Sequence, residues 1–222
     1  MPAAHAIRAQ TRQPVSLTLA GLFLALVCPE ILVLLVPELH KAHVGFGARE
    51  GIFWALAAIV LLYVMLVEKR PMASIGWRRP GWRAAVWGIC GGIVIALGIG
   101  VVYGIALRVL HLTLNAQAMA QIMAHSRAVR LMLVLRAAIF EETLYRGYAI
   151  ERLQELTRSP TAAAAIAWAA FTAAHLRYWG EASLLVAGFG GLALTVLYVW
   201  RRDLGCNMLA HFVVDGAGFL LH

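Results

Sequence analysis

The chain has 222 residues, of which 62% are hydrophobic and only 14% charged, and its mean hydropathy is +0.77. A soluble domain of this length would be about half apolar and about a quarter charged, so the composition excludes one and specifies an integral membrane protein. The net charge of +8 does not point to nucleic acid: Lys and Arg gather in the short connections between apolar runs, where membrane orientation is encoded, and no basic patch interleaved with aromatics occurs.

Seven apolar segments succeed one another, near 15–36, 51–67, 84–107, 131–149, 161–178, 183–200 and 204–221. Most are close to the roughly 20 residues that a helix needs to cross a bilayer. The runs are continuous rather than alternating, and too few for a closed barrel, so strands are not expected. The expectation is an all-α polytopic membrane helix bundle of about seven transmembrane helices, one membrane domain over 1–222, with no room for a soluble domain beside it.

In chain order, Met1 to Gln13 carries Arg8 and Arg12 ahead of the first run. That run is too long for a signal-peptide core and no small-residue cleavage pattern follows it, so it reads as a retained first helix. Pro29 is expected to break this helix, and Glu30 follows it at bilayer depth, either lining a cavity or capping the kink. The third segment is rich in glycine (Gly88, Gly91, Gly92, Gly98, Gly100) and the sixth repeats the device (Gly188, Gly190, Gly191), which suits close helix packing. Residues 111–130 are polar and helix-friendly, as an interfacial helix or lid would be. Cys28, Cys90 and Cys206, an odd number within apolar runs, read as free core thiols. Trp82, Trp87, Trp179 and Trp200 sit near span ends and suit headgroup anchoring. His5, His40, His43, His111, His125 and His222 lie in connections or at termini, where interfacial solvation suffices.

Eleven Lys and Arg fall on the side of the N-terminus and six on the other, with Arg136 and Arg146 inside a span. The excess places the N-terminus in the cytoplasm, with a prokaryotic inner membrane as the expected location. No internal repeat is visible, which counts against an inverted-repeat transporter.

The most informative stretch is the fourth segment, where Glu141, Glu142 and Arg146 interrupt an otherwise apolar run. Charged groups at bilayer depth cost a few kcal/mol each and mark function by default. Glu142 and Arg146, four apart, share a helix face and can pair. Glu141 diverges by about 100° and has no partner at that spacing, which leaves it as the candidate general base. In the fifth segment Phe171 and His175 share a face. In the seventh, Asn207, His211 and Asp215 form a stripe at intervals of four, and Asp215 is placed to orient His211. Together these residues supply what hydrolysis needs: a base, a proton carrier and donors for a developing oxyanion.

The ordered set Glu141-Glu142-x-x-x-Arg146, Phe171-x-x-x-His175 and His211-x-x-x-Asp215 resembles the three-motif signature of the CPBP family, which groups CAAX prenyl proteases of the Ras-converting type with bacteriocin-processing and self-immunity proteins. The resemblance covers a core of about 131–221, and the stretch Ser74 to Arg78 is similar to a short element of the same family. It implies a site between helices four, five and seven. It further implies that Glu141 activates the attacking water with His175, that His211 and Asp215 stabilise the oxyanion, and that Glu142 and Arg146 shape the site. The chain departs from the prenyl-protease pattern in carrying Asp215 where Asn is usual. Ionised Asp cannot donate a hydrogen bond, so Asn207, one turn earlier, and Phe171 stand as further oxyanion or substrate candidates. The segment boundaries also set His175 and His211 at different depths.

The function implied is an intramembrane endopeptidase that uses a glutamate-activated water on a membrane-associated or lipidated protein or peptide. Its partners would be the bilayer and a prenylated or peptide substrate, with no nucleic acid, and no cofactor is expected. The alternatives are a zinc-dependent form of the same hydrolysis, with Glu141, His175 and His211 as ligands, and a non-enzymatic transporter, immunity or scaffold protein.

Overall fold

The computed structural model describes residues 13–221. The basic pair Arg8 and Arg12, and the histidines at 5 and 222, lie outside the described residues. Among the described residues there are eight helices and no strand: α1 (15–41), α2 (46–67), α3 (Trp82–Arg108), α4 (Ala116–Met123), α5 (127–157), α6 (Pro160–Trp179), α7 (Ser183–Arg201) and α8 (Leu204–Phe219), with a 3-10 turn at Met72–Ile75. Six of the seven apolar segments lie within a helix and the seventh runs two residues past the end of α8, while α4 occupies the polar stretch between the third and fourth. Four helical stretches, Val15–Val36, Phe46–Val67, Trp82–Arg108 and Ser183–Arg201, are long and apolar enough to cross a membrane by length and composition. Helices α5, α6 and α8 carry the polar groups of the fourth, fifth and seventh segments and are shorter or less apolar.

Side-chain chemistry sets the starts of the short elements. Asn115 caps α4 by accepting from the backbone N–H groups of Gln117 and Ala118, and ties it to the end of α6 by donating to the Tyr178 carbonyl. Ser159 caps α6 ahead of Pro160, whose missing N–H costs nothing in a first turn. Asp203 caps α8 through the N–H of Cys206.

Helix α1 does not break at Pro29, contrary to the sequence expectation. Residues Phe23–Val27 wind as a π-helix, and the Cys28 N–H bonds five residues back to the Phe23 carbonyl. Proline lacks an N–H and its ring crowds the carbonyl four residues earlier; the wider turn accommodates both effects and carries the helix through to Glu30. A second π stretch, Glu142–Ile150, lies within α5, and all nine of its residues are buried. Such turns recur at functional sites.

Helix α5 is the centre of the bundle. Helices α1, α2, α6 and α8 pack against it, while α3 lies along α8 and α7. The glycines of α3 permit that approach: a Cβ on Gly88 or Gly92 would meet the Cys206 carbonyl at 2.8 Å or the Ala210 carbonyl at 2.7 Å. The outward face of α3 is apolar, with Val94 and Leu97 both exposed by more than two-thirds. Cys90 shares that exposure, so the core-thiol reading holds for Cys206, which is buried, and not for Cys90.

A buried ion pair braces one end of α5. Glu68, at the end of α2, accepts from Arg152 Nη2 at 2.5 Å and from Tyr148 Oη at 2.7 Å, and both charged side chains are at most 1% exposed. Arg152 also donates to the carbonyl and hydroxyl of Ser74. Gly76 adopts a left-handed conformation with φ of 76° and its carbonyl accepts from the Leu204 N–H at 2.8 Å, so the Ser74 to Arg78 stretch joins α5 to the start of α8. Arg152 follows the fourth apolar segment and is one of the eleven cations assigned to connections on the N-terminal side; it is a core residue instead. A single sequence gives no signal for its partner 84 positions away.

Candidate active site

Three helices bring the sequence-predicted polar residues to one place. Glu141 and Glu142 stand where α5 passes from α to π winding. Glu142 is fully buried and its two oxygens are engaged from three directions. Oε1 accepts from Arg146 Nη1 at 2.9 Å and lies 2.8 Å from His211 Nδ1; Oε2 accepts from Asn207 Nδ2 at 2.5 Å. Arg146 places its other nitrogen on the Gly191 carbonyl at 3.1 Å and its guanidinium over the Phe171 ring at 4.0 Å. A Cβ on Gly191 would meet Phe171 at 2.6 Å, so only glycine lets α7 come this close.

Glu141 is held differently. Its Oε2 is buried and has no hydrogen-bond partner. It lies 3.9 Å from His175 Nε2 and 3.9 Å from His211 Nε2, beyond direct hydrogen-bonding distance. The depth difference expected between the two histidines is absent: both imidazoles face the same carboxylate oxygen.

Their tautomers follow from what sits behind each ring. His175 Nδ1 lies 2.8 Å from the Phe171 carbonyl, which can only accept, so Nδ1 carries the proton. His211 Nδ1 faces Glu142, ionised by its pairing with Arg146 and likewise an acceptor only. In both rings Nε2 is therefore the nitrogen turned toward Glu141. Asp215 Oδ2 stands 3.5 Å from His211 Nε2, so Asp215 flanks the nitrogen turned toward Glu141 while Glu142 orients the ring from behind. The i,i+4 spacing suggested Asp215 for that orienting contact. Glu142 makes the shorter one because the α5–α8 packing, invisible in the spacing, delivers it to Nδ1.

Asn207 is fully buried with its amide on Glu142 and its Oδ1 unpartnered. The side chains of Glu141, His175 and Asp215 are 18%, 20% and 23% exposed, which leaves the site open on one side. Among the described residues no group of three or more His, Cys, Asp or Glu side chains is arranged to hold a metal ion.

Two further residues belong to the site's surroundings. Tyr145 donates to Glu30 Oε1 at 3.3 Å and sets its ring edge-on to Phe171, with centroids 5.3 Å apart. Tyr145 follows Glu141 by four positions, a spacing visible in the sequence. The Gly191 carbonyl, a backbone group, gives no such signal.

These features define a class: an all-helical membrane protein with a carboxylate and two imidazoles facing one another across a short gap among its helices. Residues 123–217 match the family model described as Type II CAAX prenyl endopeptidase Rce1-like; that segment holds the three motifs, and over it the chain is similar to that family, in agreement with their resemblance. No curated protein and no solved structure matches the chain.

Proposed function

We propose that this protein is an intramembrane endopeptidase in which Glu141 activates water against a peptide bond of a membrane-associated or lipidated substrate. The observation that carries the reading is the position of Glu141 Oε2, unpartnered and 3.9 Å from two Nε2 atoms. Spans of this length suit one bridging oxygen. The water gives a proton to Glu141 as its oxygen attacks the scissile carbonyl carbon. The proton then passes, with His175 alongside, to the amide nitrogen as the C–N bond breaks, leaving a carboxylic acid, whose hydroxyl keeps the water's second proton, and an amine. His211, carrying a second proton at Nε2 with Asp215 as counter-charge, donates to the oxyanion. Glu142, Arg146 and Asn207 hold His211 from behind, and Phe171 supports both imidazoles.

In this reading the seven apolar segments all span the bilayer, the N-terminus is cytoplasmic, and α5, α6 and α8 enclose the site. Their polar faces meet one another, as intramembrane ionisable groups must. The chemistry needs no metal, so cleavage survives treatment with a chelator. The family description supports a prenylated C-terminal peptide as the first substrate to assay. The test is cleavage of such a peptide by the purified full chain in liposomes, alongside Glu141→Ala and His175→Ala. Turnover lost in both variants supports the assignment, and turnover unchanged in both removes it.

A further inference from the structure

Glu30 lies outside the segment that matches the family and takes no part in the chemistry above. It is nonetheless a carboxylate inside the first apolar helix, where such a group is costly. No Arg or Lys pairs with it among the described residues, and its one hydrogen bond comes from the Tyr145 hydroxyl at 3.3 Å. It reaches this position because Phe23–Val27 and Pro29 carry α1 through a widened turn, which sets the helix face that follows.

Tyr145 is 3% exposed, and a buried phenol needs a partner for its hydroxyl. With that hydroxyl held by Glu30, the ring stands edge-on to Phe171 at an interplanar angle of 87°. Phe171 is the residue whose ring packs on His175, with centroids 4.3 Å apart, and whose carbonyl binds His175 Nδ1. A continuous chain of contacts thus runs from Glu30 through Tyr145 and Phe171 to the imidazole that faces Glu141.

We propose that Glu30 is a positioning residue: by holding the Tyr145 hydroxyl it fixes Phe171, and so keeps the His175 ring in the Nδ1–H tautomer with Nε2 toward Glu141. This gives α1 a part in the site. The catalytic consequence rests on the peptidase reading; the orientation itself does not.

The experiment is long-range proton–nitrogen NMR of the histidine rings in the full-length protein in micelles, comparing the wild type with Tyr145→Phe, Glu30→Ala and Glu30→Gln. Tyr145→Phe removes only the hydroxyl and keeps the ring. Thermal unfolding of each variant, together with the His211 signals, reports whether the fold is retained. The expected result is one Nδ1–H tautomer for His175 in the wild type, a mixture of tautomers in Tyr145→Phe and Glu30→Ala, and a near-wild-type spectrum in Glu30→Gln, whose amide oxygen still accepts. Cleavage in the two disturbed variants should fall about tenfold in kcat with KM little changed, the size expected for a modest misplacement of a catalytic group. An unchanged His175 spectrum in both Tyr145→Phe and Glu30→Ala overturns the proposal. So does Glu30→Gln behaving as Glu30→Ala, because the carboxylate charge rather than the hydroxyl bond would then be acting. Neither spectrum depends on turnover, so loss of the peptidase reading through Glu141→Ala would be seen separately.

Discussion

Helix α5 carries two buried polar clusters, and they differ in whether every oxygen has a partner. At the brace, Glu68 receives Arg152 and Tyr148, while Arg152 also reaches Ser74 and Glu155. At the candidate site, Glu142 is satisfied in the same manner, yet its neighbour Glu141 keeps a buried oxygen without a partner beside two imidazoles. A buried charge that is fully hydrogen-bonded is structural. One left short of a partner stores free energy that a reaction can use, and folding tolerates it only where something selects for it. The same helix thus carries a fully paired carboxylate beside one left short of a partner.

The comparison can be broken most directly at Glu141. Glu141→Gln should lower cleavage by about 10²–10⁴, the usual contribution of a general base, with the thermal unfolding midpoint in detergent essentially unchanged. Arg152→Ala should do the opposite. It leaves the buried Glu68 carboxylate without a counter-charge and with only the Tyr148 hydroxyl donating to it, at a cost of about 3–5 kcal/mol in stability, while the protein that remains folded turns over near the wild-type rate. A paired replacement sharpens the contrast: Glu68→Leu with Arg152→Met should recover much of that loss, since well-packed apolar residues often match a buried ion pair. No apolar residue at 141 should recover turnover.

Glu142→Gln falls between the two. It weakens the Arg146 pair and the acceptor behind His211 together, so both the unfolding free energy and cleavage should drop, the first by about 1–3 kcal/mol as expected for a buried charged hydrogen bond. The smallest effect is expected for Asp215→Asn. Glu142 already orients His211 at 2.8 Å, against 3.5 Å for Asp215, so cleavage should fall less than about tenfold, below the usual contribution of an acid–base group. A loss at Asp215→Asn as large as that at Glu141→Gln would move Asp215 from flanking His211 into the chemistry itself.

The sequence alone determined the class of fold, because composition and the length of apolar runs are read one residue at a time and the bilayer constrains both. It also singled out the candidate site residues, because a charge inside an apolar run is conspicuous wherever it falls, and spacings of four put Glu142 with Arg146 and aligned Asn207, His211 and Asp215. Other features were settled only by helices meeting. Glu142 took the contact behind His211 that the local spacing assigned to Asp215, and Arg152 became a core residue through a partner 84 positions away. Pro29 was absorbed by a widened turn where a break was expected, and the two imidazoles came to one depth on the same carboxylate oxygen. Periodicity fixes which side chains share a face of one helix. Which face meets which, and at what height, depends on packing between distant segments, and that is where the unpartnered oxygen of Glu141 acquired its two histidines.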